Sequence, residues 1–347
     1  MPPPSSPSIL KVYFATNRDK RNTHYGNRFY GGNPKLFRVG RVDVSKSSDG
    51  SWQAGQITTF DERSRATPEN VRAERVWTLL GSESGFDDIR KSGIEGATSD
   101  VLVFIHGAAN DFNDAAETLA AMTELYSSSE APFCPFFFTY PANGKSDPVN
   151  YFADRDDASL SGYAMARAFG KLVTYLAKRS VEERCRQNVH LLAHSLGNFA
   201  LRKAVEAIFG NLAYRPVRLF SSVILAAADD DEDTLHNPDK MRPLTRLADE
   251  IVVYYDTTDK LLRLSDAVHM DRLGQKGPNP HPGHLVNGCK ISVVDCSAVA
   301  FDLGEDRQRH RHYLRSRAVV DDIRSVIKGE APPGRTPVGE REGFYRL

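Results

Sequence analysis

Ser195 has the clearest chemical setting in the chain. In 188–209, NVHLLAHSLGNFALRKAVEAIF, an apolar run leads directly into Ala193-His194-Ser195-Leu196-Gly197 and then into a helical pattern. A serine on a strained strand-to-helix corner points its Oγ out of the sheet, as a nucleophile must, only if the residues two places away on either side are small. Ala193 and Gly197 meet that need, although glycine is usual at the first position and Ala193 departs from it by one methyl group. Serine is also a favoured helix N-cap, and a second Ser-x-Gly occurs at Ser48. Ser48 follows no long apolar run and precedes no helix, so context separates the two.

A serine nucleophile needs donors for the developing oxyanion, a base and an acid that orients the base. The donors are expected at VLVFIHGAAND (101–111), where an apolar run ends at His106-Gly107. Glycine lets backbone approach a substrate closely, and the N–H groups of Ala108 and Leu196 are the expected oxyanion hole. His106 precedes the serine and reads as a loop-ordering residue rather than the base. Acid candidates follow two later apolar runs: Asp229, Asp230 and Asp231, or Asp256 and Asp259. Asp259 is favoured because TTDKLL reads as a loop opening a helix, with Asp229 and Asp230 as alternatives. Of the histidines beyond it, His269, His281, His284, His310 and His312, the base belongs between the last apolar run and the last helix. That leaves His310 and His312, which spacing does not separate. His281 and His284 lack a carboxylate or cysteine at ligand spacing and read as a surface loop.

The elements that must position these groups follow from periodicity. Six short apolar runs, at 101–105, 135–140, 189–193, 222–227, 251–255 and 291–295, alternate with helical segments at 113–126, 161–178, 197–209 and 318–328. This is the pattern of crossover units around a mostly parallel α/β sheet buried on both faces. Runs at 10–15 and 37–44 predict an N-terminal antiparallel strand extension at the sheet edge. Residues 1–9 and 330–347, rich in Pro, Ser, Gly and charge, read as loosely ordered ends around one domain, 10–329, made of the extension (10–99) and a catalytic core (100–329). Segments 141–160 and 265–288 read as irregular and near the site, with Tyr140, Tyr151 and Phe152 as apolar wall for substrate.

Composition narrows the function classes. At 347 residues and 40% apolar, the chain can build a large core. Lys+Arg equals Asp+Glu at 45 each, so no global field draws nucleic acid or anionic membrane. No segment approaches the ~20 apolar residues of a membrane span, so no stable membrane insertion is expected, and the N-terminus has no export signal pattern. A soluble, cytoplasmic protein is expected. Cys134, Cys185, Cys289 and Cys296 are scattered without zinc or disulfide spacing. No metal or organic cofactor is required, and the expected partner is a small-molecule ester.

Several stretches together resemble a bacterial alpha/beta hydrolase family long known only as a domain of unknown function. They are YFATNR (13–18), FRVGRVDVS (37–45), FIHGAANDFNDA (104–115), FTYPANG (138–144), LLAHSLGN (191–198), LAAADDDEDTL (225–235), DKLLRLSDAVHMDRLGQKG (259–277) and HRHYLRSRAVVDDI (310–323). The resemblance implies the alpha/beta-hydrolase fold, with Ser195 of AHSxGN as nucleophile and Asp259 opening the D-x-A-L-x-x-S stretch, where Leu261 replaces the usual alanine. The family's H-x-Y-Y histidine lies twelve positions before a helix Asp, which from Asp322 selects His310; His312 stands where the first Tyr would fall and remains the alternative. Hydrolysis of an ester or similar acyl bond is implied. An amidase or acyltransferase would use the same groups, and a non-catalytic binding module could use the same fold.

Overall fold

Runs rich in Val, Ile and Phe form the strands, and their register decides what each face buries. The computed structural model describes residues 9–60, 85, 87–88, 100–128, 132–177, 188–210, 217–266, 271–299 and 308–347. Its strands are β1 (Ile9–Thr16), β2 (Arg18–Arg21), β3 (His24–Phe29), β4 (Arg38–Lys46), β5 (Trp52–Thr59), β6 (Asp100–Ile105), β7 (Phe133–Thr139), β8 (Val189–His194), β9 (Phe220–Ala226), β10 (Ala248–Tyr255), β11 (Leu285–Val286), β12 (Cys289–Asp295), β13 (Thr336–Pro337) and β14 (Phe344–Arg346). The main sheet runs β13-β14-β12-β10-β9-β8-β6-β7-β1-β4-β5, with β11 paired to β12, while β2 and β3 form a separate ribbon. From β12 to β7 every neighbouring pair is parallel. The six apolar runs of the sequence are these six strands. β1 continues the parallel order on β7, and β4 and β5 then add an antiparallel edge.

Helices cover both faces: α1 (Phe112–Tyr126), α2 (Pro148–Ala177), α3 (Leu196–Gly210), α4 (Lys260–Asp266), α5 (Leu273–Lys276), α6 (His312–Arg315) and α7 (Arg317–Ile327). Side chains alternate along a strand, so β6 sends Val101, Val103 and Ile105 into a core shared with α2 and α3. Leu102 and Phe104 enter a second core shared with α1 and α7. This is the α/β architecture of the alpha/beta-hydrolase fold, with the corner at Ser195 between β8 and α3 at the C-terminal end of the parallel strands.

Two expectations need correction. Segment 141–160 is not irregular throughout, because α2 begins at Pro148. Pro suits the first turn of a helix, and Asn150, Asp154, Asp156 and Asp157 hide the apolar period of that stretch. The 330–347 tail is also tied down: β14 adds a parallel strand to β12, and Arg335 makes a bidentate pair with Asp322 of α7. Residues 1–8, Cys185 and His269 lie outside the described residues. Among the described residues no helix is long and apolar enough to cross a membrane.

Candidate active site

Ser195 sits where β8 ends and α3 begins, with φ at +53°. This left-handed backbone is unfavourable for a residue with a side chain, and surrounding hydrogen bonds hold it. The Ser195 N–H donates to the Ala226 carbonyl at 3.1 Å, and its own carbonyl accepts from the N–H groups of Asn198 at 3.0 Å and Asp229 at 3.1 Å. The Asn198 side chain adds bonds to the carbonyls of Ala193 and Ser195. Gly197 has a steric reason: a Cβ there would stand 2.4 Å from the Ile105 oxygen and 2.6 Å from that of His106. A Cβ on Gly107 would meet the Ser195 Cβ at 2.9 Å, so the loop after β6 lies directly against the serine.

The acid and base follow the parallel strands β10 and β12. Asp259 is fully buried and both carboxylate oxygens are engaged. Oδ1 accepts the N–H groups of Leu261 at 2.9 Å and Leu262 at 3.0 Å, capping α4, while Oδ2 accepts from His310 Nδ1 at 2.7 Å. A carboxylate that accepts from Nδ1 assigns the ring proton there and leaves Nε2 as the basic nitrogen. The segment delivering His310 turns at Arg309, whose φ is +58°. Arg309 is held by Asp256 at 3.0 Å and by the Ser297 carbonyl at 2.7 Å. The His310 carbonyl accepts from His194 Nε2 at 3.0 Å, and the two rings lie 4.7 Å apart, which ties this segment to the residue preceding Ser195. Burial, and then the neighbouring His310, push the pKa of His194 well below its ordinary value, so it is a neutral donor.

The loop after β6 is equally constrained. Arg18 Nε donates to Thr139 Oγ1 at 2.8 Å, and that hydroxyl contacts His106 Nε2 at 2.8 Å. His106 Nδ1 lies 2.8 Å from the Gly107 carbonyl, which can only accept, so Nδ1 carries the proton and Nε2 accepts from Thr139. Burial, with the Arg18 charge beside it, lowers the His106 pKa to about 3, consistent with a neutral ring. A trans peptide points its N–H opposite to its C=O, so fixing the Gly107 carbonyl on His106 aims the Ala108 N–H away from that ring. Leu196 opens α3, and the first N–H groups of a helix have no acceptor within it.

Other predicted residues have different places. Tyr140 is fully buried, stacks on His106 at 4.4 Å and donates to the His106 carbonyl; it supports the loop from below and is not substrate wall. Tyr151 is half-buried and donates to Asp229 at 2.7 Å; beside it Phe152 remains 43% exposed. The alternative acids are committed elsewhere. Asp229 accepts from Tyr151 and Ser265, and Asp230 from Arg202 and Thr234. His312 opens α6, fully buried, while the Asp259 carboxylate goes to His310. His281 and His284 bond backbone groups of the 283–291 and 342 region. Among the described residues no group of three or more His, Cys, Asp or Glu could hold a metal ion. Sequence reasoning missed Arg18 and Asp154, although Arg18 ends the quoted YFATNR stretch; Asp256, an acid candidate there, holds Arg309 instead.

This architecture is that of an alpha/beta hydrolase. The model of one such family, described as alpha/beta hydrolase of unknown function (DUF900), matches residues 85–328, and the chain belongs to that family. None of the curated proteins matches the chain.

Proposed function

We propose that the protein is a serine hydrolase that cleaves a carboxylic ester through an acyl-enzyme. Ser195 Oγ attacks the acyl carbonyl while His310 Nε2 takes its proton. The tetrahedral oxyanion is met by the N–H groups of Leu196 and Ala108. The intermediate collapses, the C–O bond to the alcohol breaks, and the imidazolium returns its proton to the departing oxygen. Water then repeats the sequence, releasing the acid and free Ser195. Asp259 keeps the proton on Nδ1 and stabilises the imidazolium. Tyr151 and Phe152 form the wall nearest the substrate.

The observation that carries this reading is the 2.7 Å bond from His310 to a buried Asp259 whose other oxygen is capped by backbone, in a segment tied to the neighbour of a left-handed Ser195. p-Nitrophenyl esters of graded acyl length, with wild type and Ser195→Ala, test it. Ester cleavage and fluorophosphonate labelling that both vanish in the variant are expected. Equal rates for the two proteins, or labelling that persists in the variant, would exclude this role for Ser195.

A further inference from the structure

Two buried residues of opposite charge, far apart in sequence, grip the same pair of loops. Arg18, in the N-terminal extension and outside the span matched by the family model, is fully buried. It donates from Nη2 to the Asn110 carbonyl at 2.9 Å and from Nη1 to the Ala142 carbonyl at 2.8 Å. Asp154 of α2, also fully buried, accepts the N–H groups of Ala109 at 2.8 Å and Asn143 at 3.1 Å. The guanidinium takes one carbonyl from each loop and the carboxylate takes one N–H from each. Neither residue type is buried without such partners.

The loop needs this support. Ala109 has φ at +55°, a left-handed conformation that is unfavourable for a residue with a Cβ. The Ala108–Ala109 peptide is held at both ends, its N–H by Asp154 and its carbonyl by Asn110 Nδ2 at 2.7 Å. Without these bonds it could rotate to a relaxed conformation and turn the preceding N–H with it.

We propose that Arg18 and Asp154 form a two-sided clamp that holds the 107–110 loop, and with it the Ala108 N–H, in the orientation required by the oxyanion. They are positioning residues, and the catalytic part of the proposal rests on the ester-hydrolase reading above. It makes the N-terminal extension part of the machinery of the core.

Asp154→Asn and Arg18→Lys test the clamp by two independent readouts on folded protein. Hydrogen exchange should accelerate about 10-fold in peptides spanning 107–112 and remain unchanged across 196–210, since loss of a protecting bond opens the loop locally. With an ester cleaved by wild type, kcat should fall about 10- to 100-fold while KM stays within about twofold, the signature of lost transition-state positioning. Wild-type loop exchange and wild-type kcat in Asp154→Asn, with wild-type circular dichroism, would overturn the proposal. If wild type cleaves no ester yet loop exchange accelerates in the variants, the ester reading fails and the clamp stands. Should Arg18→Lys not fold, Asp154→Asn carries the test, because it keeps the side chain's shape while removing the charge and replacing one acceptor oxygen with an NH2 donor.

Discussion

Among the described residues, the buried carboxylates Asp259 and Asp322 each secure a C-terminal segment, and they differ in partner. Asp259 accepts from His310 through one oxygen and from two backbone N–H groups through the other. Asp322 accepts Arg335 through both oxygens and also the Tyr254 hydroxyl. The Arg335 pKa is raised by this pairing against the cost of burial, so the guanidinium keeps its charge at any working pH. It closes the tail onto α7 and β10 and has no proton to exchange. A histidine changes charge near neutrality and presents a second ring nitrogen. Burial and short distance are common to both pairs. What separates the proposed site from a structural staple is a partner able to move a proton, carried on a segment bonded to the residue before Ser195.

The sharpest way to break this contrast is Asp259→Asn. Asn caps a helix as well as Asp, so folding should survive, while kcat should drop on the order of 10³- to 10⁴-fold through the wrong ring tautomer. Steady-state rates and thermal melting check it together, and a rate near wild type would remove Asp259 from the mechanism. Arg335→Ala should do the reverse. It leaves Asp322 buried without its cation, costing about 3–5 kcal/mol in urea unfolding, with kcat per folded molecule unchanged. A fall in kcat without lost stability would place the tail in the site.

A third prediction concerns pH. His106 has its pKa lowered from 6.5 to about 3 in the folded protein. The unfolded chain therefore binds the extra proton between these values, and the stabilisation present above pH 6.5 is lost as pH falls toward about 3. The slope is about 1.4 kcal/mol per pH unit inside that window for one proton. His106→Asn should flatten the dependence of unfolding free energy on pH by that amount, whereas an unaltered slope would mean that the ring is charged in the fold. The smallest effect is expected at Phe152, whose ring is partly exposed beside Tyr151. Phe152→Ala should reduce preference for longer acyl chains by roughly 4-fold per methylene withdrawn from contact. Identical chain-length profiles would remove it from the substrate wall.

Much of the core was legible because local signals agreed there. Short continuous apolar runs alternating with helical segments read as strands buried on both faces, and a small residue on either side of Ser195 pointed to the corner that Gly197 in fact requires. The reading of Asp259 as the opening of a helix anticipated its cap on α4. The start of α2 and the course of the tail were hidden. Polar residues obscured the helical period after Pro148, and the tail is ordered by Arg335 and by pairing with β12, contacts distant in sequence.

The layered α/β order, the strand-turn-helix around Ser195 and the short set of acids and histidines are written in local patterns, because periodicity and turn chemistry act over a few residues. Contacts distant in sequence settle that Asp259 receives His310, that Asp229 and Asp230 are taken by other donors, and that Tyr140 is buried against His106. They also bring Arg18 and Asp154 to the same two loops. Such choices depend on which buried polar groups remain to be satisfied once the sheet has closed, and spacing along the chain carries no record of that competition.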